Sequence, residues 1–533
     1  MIKKNLSNFS CRILGMSLLA IIPFMSFAQK SNWQNLDLKA DSTFGISTER
    51  AYNELLKGKK STKVIVAVLD GGVDINHEDL KSVIWVNKKE KAGNGKDDDK
   101  NGYADDINGW NFLGSAKGSI NYETLELTRL VRRDSAKFGK ADATSVPASD
   151  LTAFEAYQKN KAELDKELTE AKEGLENYSA IKSAIDDLVK KLGKDKPTLE
   201  DIVAFKPTSD IETNVQRVLS QQLKNATFDE FYTDQILAGY EHFKSQVDYN
   251  LNLDYDPRSI VGDDPNNSKE KFYGNNDVAG PDARHGSHVA GIIGAVRKNN
   301  LGIDGVADNI AIMAVRSTPN GDERDKDVAN SIRYAVDNGA KVINMSFGKS
   351  YSWDKAIVDD AVKYAVSKDV VIVHAAGNDN ENLEVANNFP NPNYEKGGTA
   401  ASWITVGASG PKNDETIKAS FSNYGKNTVD VFAPGVDINS TIPGSKYEKL
   451  NGTSMASPVV AGLAALIRSY YPKLTAVEVK DIILKSVVKV DQSVIIKDEN
   501  DDTSKTVPFA DLCVTGGIVN AYNALKLASE YKK

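Results

Sequence analysis

The chain has 533 residues, 41% of them apolar and 26% charged, enough to build one large hydrophobic core with additions. A formal net charge of −8 argues against nucleic acid as a partner. Two cysteines, Cys11 and Cys513, exclude a scaffold stapled by several disulfides.

Residues 1–28 carry Lys3, Lys4 and Arg12, then the apolar stretch Ile13 to Phe27, and end in Ser-Phe-Ala before Gln29. This order predicts a secretory signal peptide cleaved after Ala28, and hence an exported protein, periplasmic or extracellular. Cys11 leaves with the signal, so the exported chain keeps Cys513 alone and forms no internal disulfide. No second apolar run reaches the roughly 18 residues of a membrane span, which predicts no transmembrane segment in the mature chain. Residues 29–60 read as a short N-terminal leader or strap against the core.

Val64 to Leu69 is a continuous apolar run with β-branched residues, the pattern of a strand buried on both faces of a parallel sheet. Asp70 falls at its carboxyl end, where open α/β sheets place their chemistry; the bland alternative is a turn residue before Gly71 and Gly72. Further on, Asp97, Asp99, Asn101 and Gly102 follow the D-x-D-x-[DN]-G start of a calcium loop, with Gly102 at the sharp turn. Asp97, Asp99 and Asn101 would ligate calcium through side chains, Tyr103 through its carbonyl, and Asp105 or Asp106 would complete the shell. The twelfth position is Asn108 rather than the bidentate Glu of an EF-hand, and a solvated acidic turn is the competing reading.

Residues 115–250 are charged and helix-patterned. Leu164, Leu168, Ala171, Leu175, Tyr178, Ile181, Ile185, Leu188 and Leu192 recur at three- and four-residue steps, a seam for packing helix on helix. Thr198 with Asp201 and Thr227 with Glu230 resemble capping boxes for two more helices, and Phe228, Phe231, Tyr240, Phe243 and Val247 give another apolar face. The segment reads as a helical insertion subdomain. Its role is either structural decoration, or gating and exosite binding, since both attachment points border the cleft.

His285 opens an apolar segment, Val289 to Val296, that reads as a buried helix. His288 makes half of a metal site the alternative for HGSH, although no HExxH or cysteine pair accompanies it. Apolar runs at 310–315, 341–345, 370–376, 404–408 and 429–432 read as strands, with helical patterns near 327–338, 354–367, 454–469 and 475–485 separating some of them. That alternation predicts an α/β fold, a mostly parallel sheet with helices on both faces. Ser454 begins the small-residue helix MASPVVAGLAALI, in which Pro458 is expected in the first turn. At that position a serine feels the positive end of the helix dipole, and its own N–H can face a developing oxyanion; the alternative is a plain N-cap. The acidic stretch at 498–502 reads as a solvated loop, and GGIVNAYNAL as the terminal helix of the domain.

An acid, an imidazole and an alcohol therefore occur in the order Asp70, His285, Ser454, the parts needed to orient a base, activate a nucleophile and hydrolyse an amide. All five histidines precede Ser454, which excludes a Ser…Asp…His hydrolase built on that serine. With the three islands VIVAVLDGG, HGSHVAG and NGTSMASP in this order, the chain resembles the subtilisin-like serine peptidases (subtilases, peptidase S8 family), with Ser287 where that family usually has Thr. The resemblance covers about 61–114 and 275–525 and implies a catalytic domain made of 61–114 and 251–533. It implies Asp70, His285 and Ser454 as the triad and Asn378, at the end of VVIVHAAGND, as the oxyanion amide donor. It further implies Ser346, Phe347 and Gly348 as one wall of the primary pocket and Ala375, Ala376 and Gly377 as the other. Small residues there, with no acid evident at the floor, lead to an expected preference for apolar or aromatic P1. The stretch from Gln29 to Ser61 is too short for the inhibitory propeptide domain of many subtilases. The expected function is thus a serine endopeptidase acting on protein or peptide substrates. The alternatives are a catalytically retired peptide-binding or scaffold protein, and a peptidyl transferase using the same triad.

Overall fold

Strands form where β-branched and apolar residues run together. Val64–Asp70 (β1), Gly109–Asn111 (β2), Ile310–Arg316 (β3), Val342–Met345 (β4), Val371–Ala375 (β5), Trp403–Ser409 (β6), Val431–Pro434 (β7), Val488–Lys489 (β8) and Gly517–Ile518 (β9) make one nine-stranded sheet. The computed structural model describes residues 32–497 and 504–531; the expected signal peptide at 1–28 and the acidic stretch at 498–502 lie outside the described residues. Strand order is β8-β9-β7-β6-β5-β4-β1-β3-β2, and every pairing is parallel except β8 with β9. β1 lies between β3 and β4, with Asp70 opposite Arg316 and Leu69 opposite Met345, so Asp70 ends at the carboxyl edge of the sheet's middle.

Alternate side chains of β1 enter two different cores. Val64, Val66 and Val68 pack with helices Arg284–Gly294 (α5), Thr453–Tyr470 (α8), Ala476–Lys485 (α9) and Ala521–Glu530 (α10). Ala67 and Leu69 pack on the other face with Asp325–Asp337 (α6) and Lys355–Ser367 (α7). Burial on both faces explains why these strands read as unbroken apolar runs. The expected α/β layering is present. The N-terminal residues from Trp33 to Leu56 lie on the first core: Trp33, Ile46, Ala51 and Leu56 are buried in it, and the Trp33 indole donates to the Val436 carbonyl at 3.1 Å.

The segment between β2 and α5 carries Glu126–Phe138 (α1), Leu151–Leu192 (α2), Asp210–Gln222 (α3) and a helical stretch over 228–250 (α4) in which α turns alternate with wider π turns. The seam of α2 is divided between two small cores. Leu164 and Ala171 join Leu127, Val131, Phe154 and Tyr157 near the sheet, whereas Ile185 and Leu188 join Ile202, Leu219, Phe228 and Phe231 at the far end. Between them α2 and α4 cross closely at Gly239, where a Cβ would stand 2.1 Å from the Tyr178 ring. Both capping boxes form, Thr198 with Asp201 and Thr227 with Glu230.

α8 departs from the expected start. It begins at Thr453, so Pro458 falls in the second turn, not the first. Proline there cannot donate to the carbonyl four residues back, that of Ser454. The Ser346 hydroxyl donates to that carbonyl instead, at 2.9 Å.

Candidate active site

Three chain segments that end at the carboxyl edge of the sheet converge on the amino end of α8. Asp70 is buried at the end of β1, and its Oδ1 accepts the Gly71 N–H at 2.7 Å. The same oxygen lies 2.8 Å from Nδ1 of His285, the second residue of α5. That contact makes Nδ1 the protonated nitrogen and leaves Nε2 as the acceptor. Burial disfavours the imidazolium, but the Asp70 carboxylate, aided by Asp282, outweighs it and holds the His285 pKa above its ordinary value. Gly286 is required by this approach, since a Cβ on it would stand 2.2 Å from the Gly72 carbonyl.

His288 sits one turn further into α5, and its Nε2 lies 2.9 Å from the Ile438 carbonyl and 3.0 Å from that of Glu448. It ties α5 to the antiparallel hairpin of Ile438–Ile442 and Lys446–Leu450. Burial pushes its pKa down to about 4, so the ring is neutral and structural. The metal-site alternative for HGSH thus meets a histidine already engaged by backbone.

Ser454 and Ser346 are joined reciprocally. The Ser454 hydroxyl donates to the Ser346 carbonyl at 3.0 Å while the Ser346 hydroxyl serves the Ser454 carbonyl. Ser346 is held in turn by Asn344, whose amide donates to its hydroxyl at 2.9 Å and accepts from Ser457 at 2.8 Å. Among the described residues no hydrogen bond joins Ser454 to His285, the serine hydroxyl being engaged by the Ser346 carbonyl. Apo geometry of this kind is ordinary for catalytic pairs, which tighten when substrate is present.

Asn378 follows β5. Its Oδ1 accepts from both the Thr453 N–H and the Thr453 hydroxyl at 2.9 Å, which fixes the amide so that Nδ2 points away from Thr453. A Cβ built on Gly452 would lie 3.5 Å from the Ser454 nitrogen and 3.7 Å from Asn378 Nδ2. Both nitrogens therefore lie close to the point where a side chain at 452 would begin, as does the Met455 sulfur at 3.5 Å, and Asn378 and Ser454 line one cavity. The Ser454 N–H is in the first helical turn and has no intrahelical acceptor.

A cavity of about 270 Å³ opens next to Ser454 and Asn378. Phe347, Gly348, Ala375 and Gly377 line it; Ser346 and Ala376 are buried behind it. The Asn388 amide donates to the carbonyls of Ala375 and Ala376, at 3.1 and 2.9 Å, and fastens this wall. Three carboxylates also border the cavity: Glu323 and Glu381, which no sequence motif marks, and Asp379, the last residue of VVIVHAAGND. Glu323 is buried, and burial, with Asp322 adding to it, raises its pKa above the ordinary carboxylate range; Asp379 and Glu381 are exposed at the rim.

The acidic loop brings Asp97 and Asp99 together with Glu90, their carboxylate oxygens within 4.8 Å of one another. Glu90 lies outside the loop motif, so the motif does not point to it. Its two oxygens accept the N–H groups of Asp99 and Asp105, at 2.9 and 3.1 Å. Asn101 Oδ1 accepts the Tyr103 N–H at 2.8 Å. The Asp105 carboxylate is occupied by the N–H groups of Asn94 and Gly95, and Asp106 by Asn87, Asn101 and Tyr334. Burial is the chief cause that raises the Asp106 pKa to about 6, with Asp99 adding to it. Three mutually repelling carboxylates in one loop match the hard oxygen donors that calcium selects.

The sequence model described as the subtilase family matches residues 61–508. Similar curated proteins include the thermophilic serine proteinase of Bacillus sp. (strain AK1), 47% identical over 186 residues, covering 35% of this chain and 42% of that protein. Thermitase of Thermoactinomyces vulgaris is 46% identical over 187 residues, 35% of this chain and 61% of that protein. Subtilisin of Bacillus pumilus is 39% identical over 198 residues, 37% of this chain and 67% of its own length. The chain thus spans less than two thirds of the length of the first two.

Proposed function

The chain belongs to the subtilase family, and on that premise we propose that it is an exported serine endopeptidase hydrolysing protein or peptide substrates through Asp70, His285 and Ser454. The observation that carries this reading is the 2.8 Å contact between the Asp70 carboxylate and His285 Nδ1, which leaves Nε2 as the basic nitrogen. Ser454 Oγ attacks the scissile carbonyl as His285 Nε2 takes its proton, and a tetrahedral oxyanion forms. The Ser454 N–H and Asn378 Nδ2 donate to that oxyanion. His285 then returns the proton to the leaving amine, giving an acyl-enzyme, and water repeats the sequence with the same base. Asp70 fixes the imidazole throughout through its contact with Nδ1. Export is supported by the basic and apolar order of residues 1–28, and among the described residues no helix is long and apolar enough to cross a membrane.

The primary pocket takes an apolar or aromatic P1 side chain. Small residues widen it, and burial raises the pKa of Glu323, the one buried acid on its lining, which disfavours a charged floor. Digestion of a denatured proteome by the purified protein, read by mass spectrometry, is expected to show cleavage after large apolar residues. Cleavage chiefly after Lys or Arg would contradict this assignment and point to the rim carboxylates.

We infer a structural calcium ion, which Asp97, Asp99, Asn101 and the Tyr103 carbonyl would hold with Glu90 as an added carboxylate; Asp105 or Asp106 would join only by giving up the protein donors they now accept. The ion's contribution there is to neutralise repulsion among these acids and so stabilise the loop against β2. At a calcium concentration a hundred times its Kd, binding stabilises the fold by about 2.7 kcal/mol. Chelation is therefore expected to lower Tm by several degrees, and Asp97→Asn to remove that response. An unmoved Tm would mean that the loop is only a solvated acidic turn.

A further inference from the structure

We propose that α1, the first helix of the insertion, is a splint for the substrate-binding wall, with Glu126 and Arg133 as positioning residues that hold the segment Lys349–Trp353 and through it Phe347 and Gly348. This rests on the peptidase reading above and concerns how its cleft is kept in shape.

The contacts run in the same order along the helix and along the segment. Glu126 pairs with the Lys349 ammonium, which also meets Asp325 at 2.8 Å and the Glu323 carbonyl at 2.7 Å. Tyr351 packs into the insertion core that contains Leu127 and Val131. The Arg133 guanidinium lies 4.8 Å over the Trp353 ring. Both members of the Glu126–Lys349 pair are about 1% exposed, so the pair is held in low dielectric, where loss of the Glu126 charge leaves Lys349 with Asp325 as its remaining carboxylate.

α1 is itself fixed to the catalytic framework. The Asp322 carboxylate accepts the Glu126 N–H at 2.7 Å, at the positive end of the helix. Arg129 pairs with Glu126 at 2.8 Å and donates to the carbonyls of Asp322 and Glu323. From Lys349 the connection reaches the opposite wall. Its backbone exchanges two hydrogen bonds with Phe389, at 3.0 and 2.8 Å, and Phe389 is the neighbour of Asn388, which fastens Ala375 and Ala376. The helix thus braces both sides of the cavity without lining it.

A splint of this kind acts on the binding of an extended peptide and leaves the chemistry at Ser454 untouched. Glu126→Gln and Arg133→Ala test it, each measured with a peptide spanning several subsites and with a small fluorophosphonate that needs only the reactive serine. For Glu126→Gln, KM for the peptide is expected to rise about tenfold with kcat nearly unchanged, and for Arg133→Ala about threefold in the same direction. The rate of fluorophosphonate labelling should stay within about twofold of the parent in both. Folded variants with unchanged peptide KM, or with labelling reduced in step with peptide cleavage, would overturn the proposal. If Glu126→Gln does not fold, Arg133→Ala, whose side chain is 43% exposed, decides the matter by itself. A parent protein that neither cleaves nor labels would instead bring down the peptidase reading, and this inference with it.

Discussion

Replacing Ser454 by alanine is expected to lower kcat by about 10⁶, the magnitude seen when the nucleophile is removed from subtilisin. The loss is of that size because the acyl-enzyme route disappears altogether, leaving only binding and the oxyanion donors. Those donors survive the change, because the Ser454 N–H belongs to the backbone and Asn378 is held by Thr453. What the folded state loses is one neutral hydrogen bond, Ser454 Oγ to the Ser346 carbonyl, worth about 1 kcal/mol. The Ser346 hydroxyl still serves the carbonyl that Pro458 leaves without a donor. Activity and stability should therefore separate: near-complete loss of cleavage with a Tm within a few degrees of the parent, checked by peptide hydrolysis and thermal melting side by side.

Asp70→Asn should cost about 10⁴ in kcat, by analogy with the corresponding change in serine-protease triads, and should also move the pH profile. The asparagine amide can hold the imidazole in the wrong tautomer, with its proton on Nε2, where the base is needed. The sign of the pH effect follows from the balance at His285. Burial lowers its pKa, and the Asp70 charge more than reverses that. Catalysis needs the neutral imidazole, so the parent loses activity as pH falls through this raised pKa. Removing the negative charge destabilises the imidazolium, and the acidic limb of the residual kcat/KM profile should shift to lower pH. A variant of nearly full activity, or one whose acidic limb moves upward, would show that Asp70 does not govern His285.

Sequence pattern reaches the catalytic framework because its strands are buried on both faces and its key residues stand at strand ends or helix starts. Val64–Asp70 is one such strand, and the capping boxes at Thr198 and Thr227 mark helix starts that are present. What escapes is what depends on distant partners. Glu90 joins Asp97 and Asp99 only through the path of the chain, and nothing in its own surroundings marks it as a ligand. α1 does not stand out as a separate helix, since much of its buried face is charged and is matched by Asp322 and Lys349 from a different part of the chain. Pro458 falls a turn later than the pattern suggests because the helix begins with Thr453, whose N–H is capped by Asn378 from β5's far end rather than by a neighbour in sequence. The acids bordering the cavity are hidden for the same reason: Glu323, from the loop after β3, meets Asp379 and Glu381, from the loop after β5.

The central claim is that Ser454 is made nucleophilic by His285 and Asp70 in one groove. The most direct measurement is to treat the folded protein with a fluorophosphonate and locate the adduct by peptide mass spectrometry, in parallel with Asp70→Asn. The account predicts a single stoichiometric adduct on Ser454 in the parent and labelling slowed by orders of magnitude in the variant. An unlabelled Ser454 in a folded protein, or a labelling rate indifferent to Asp70, would contradict it.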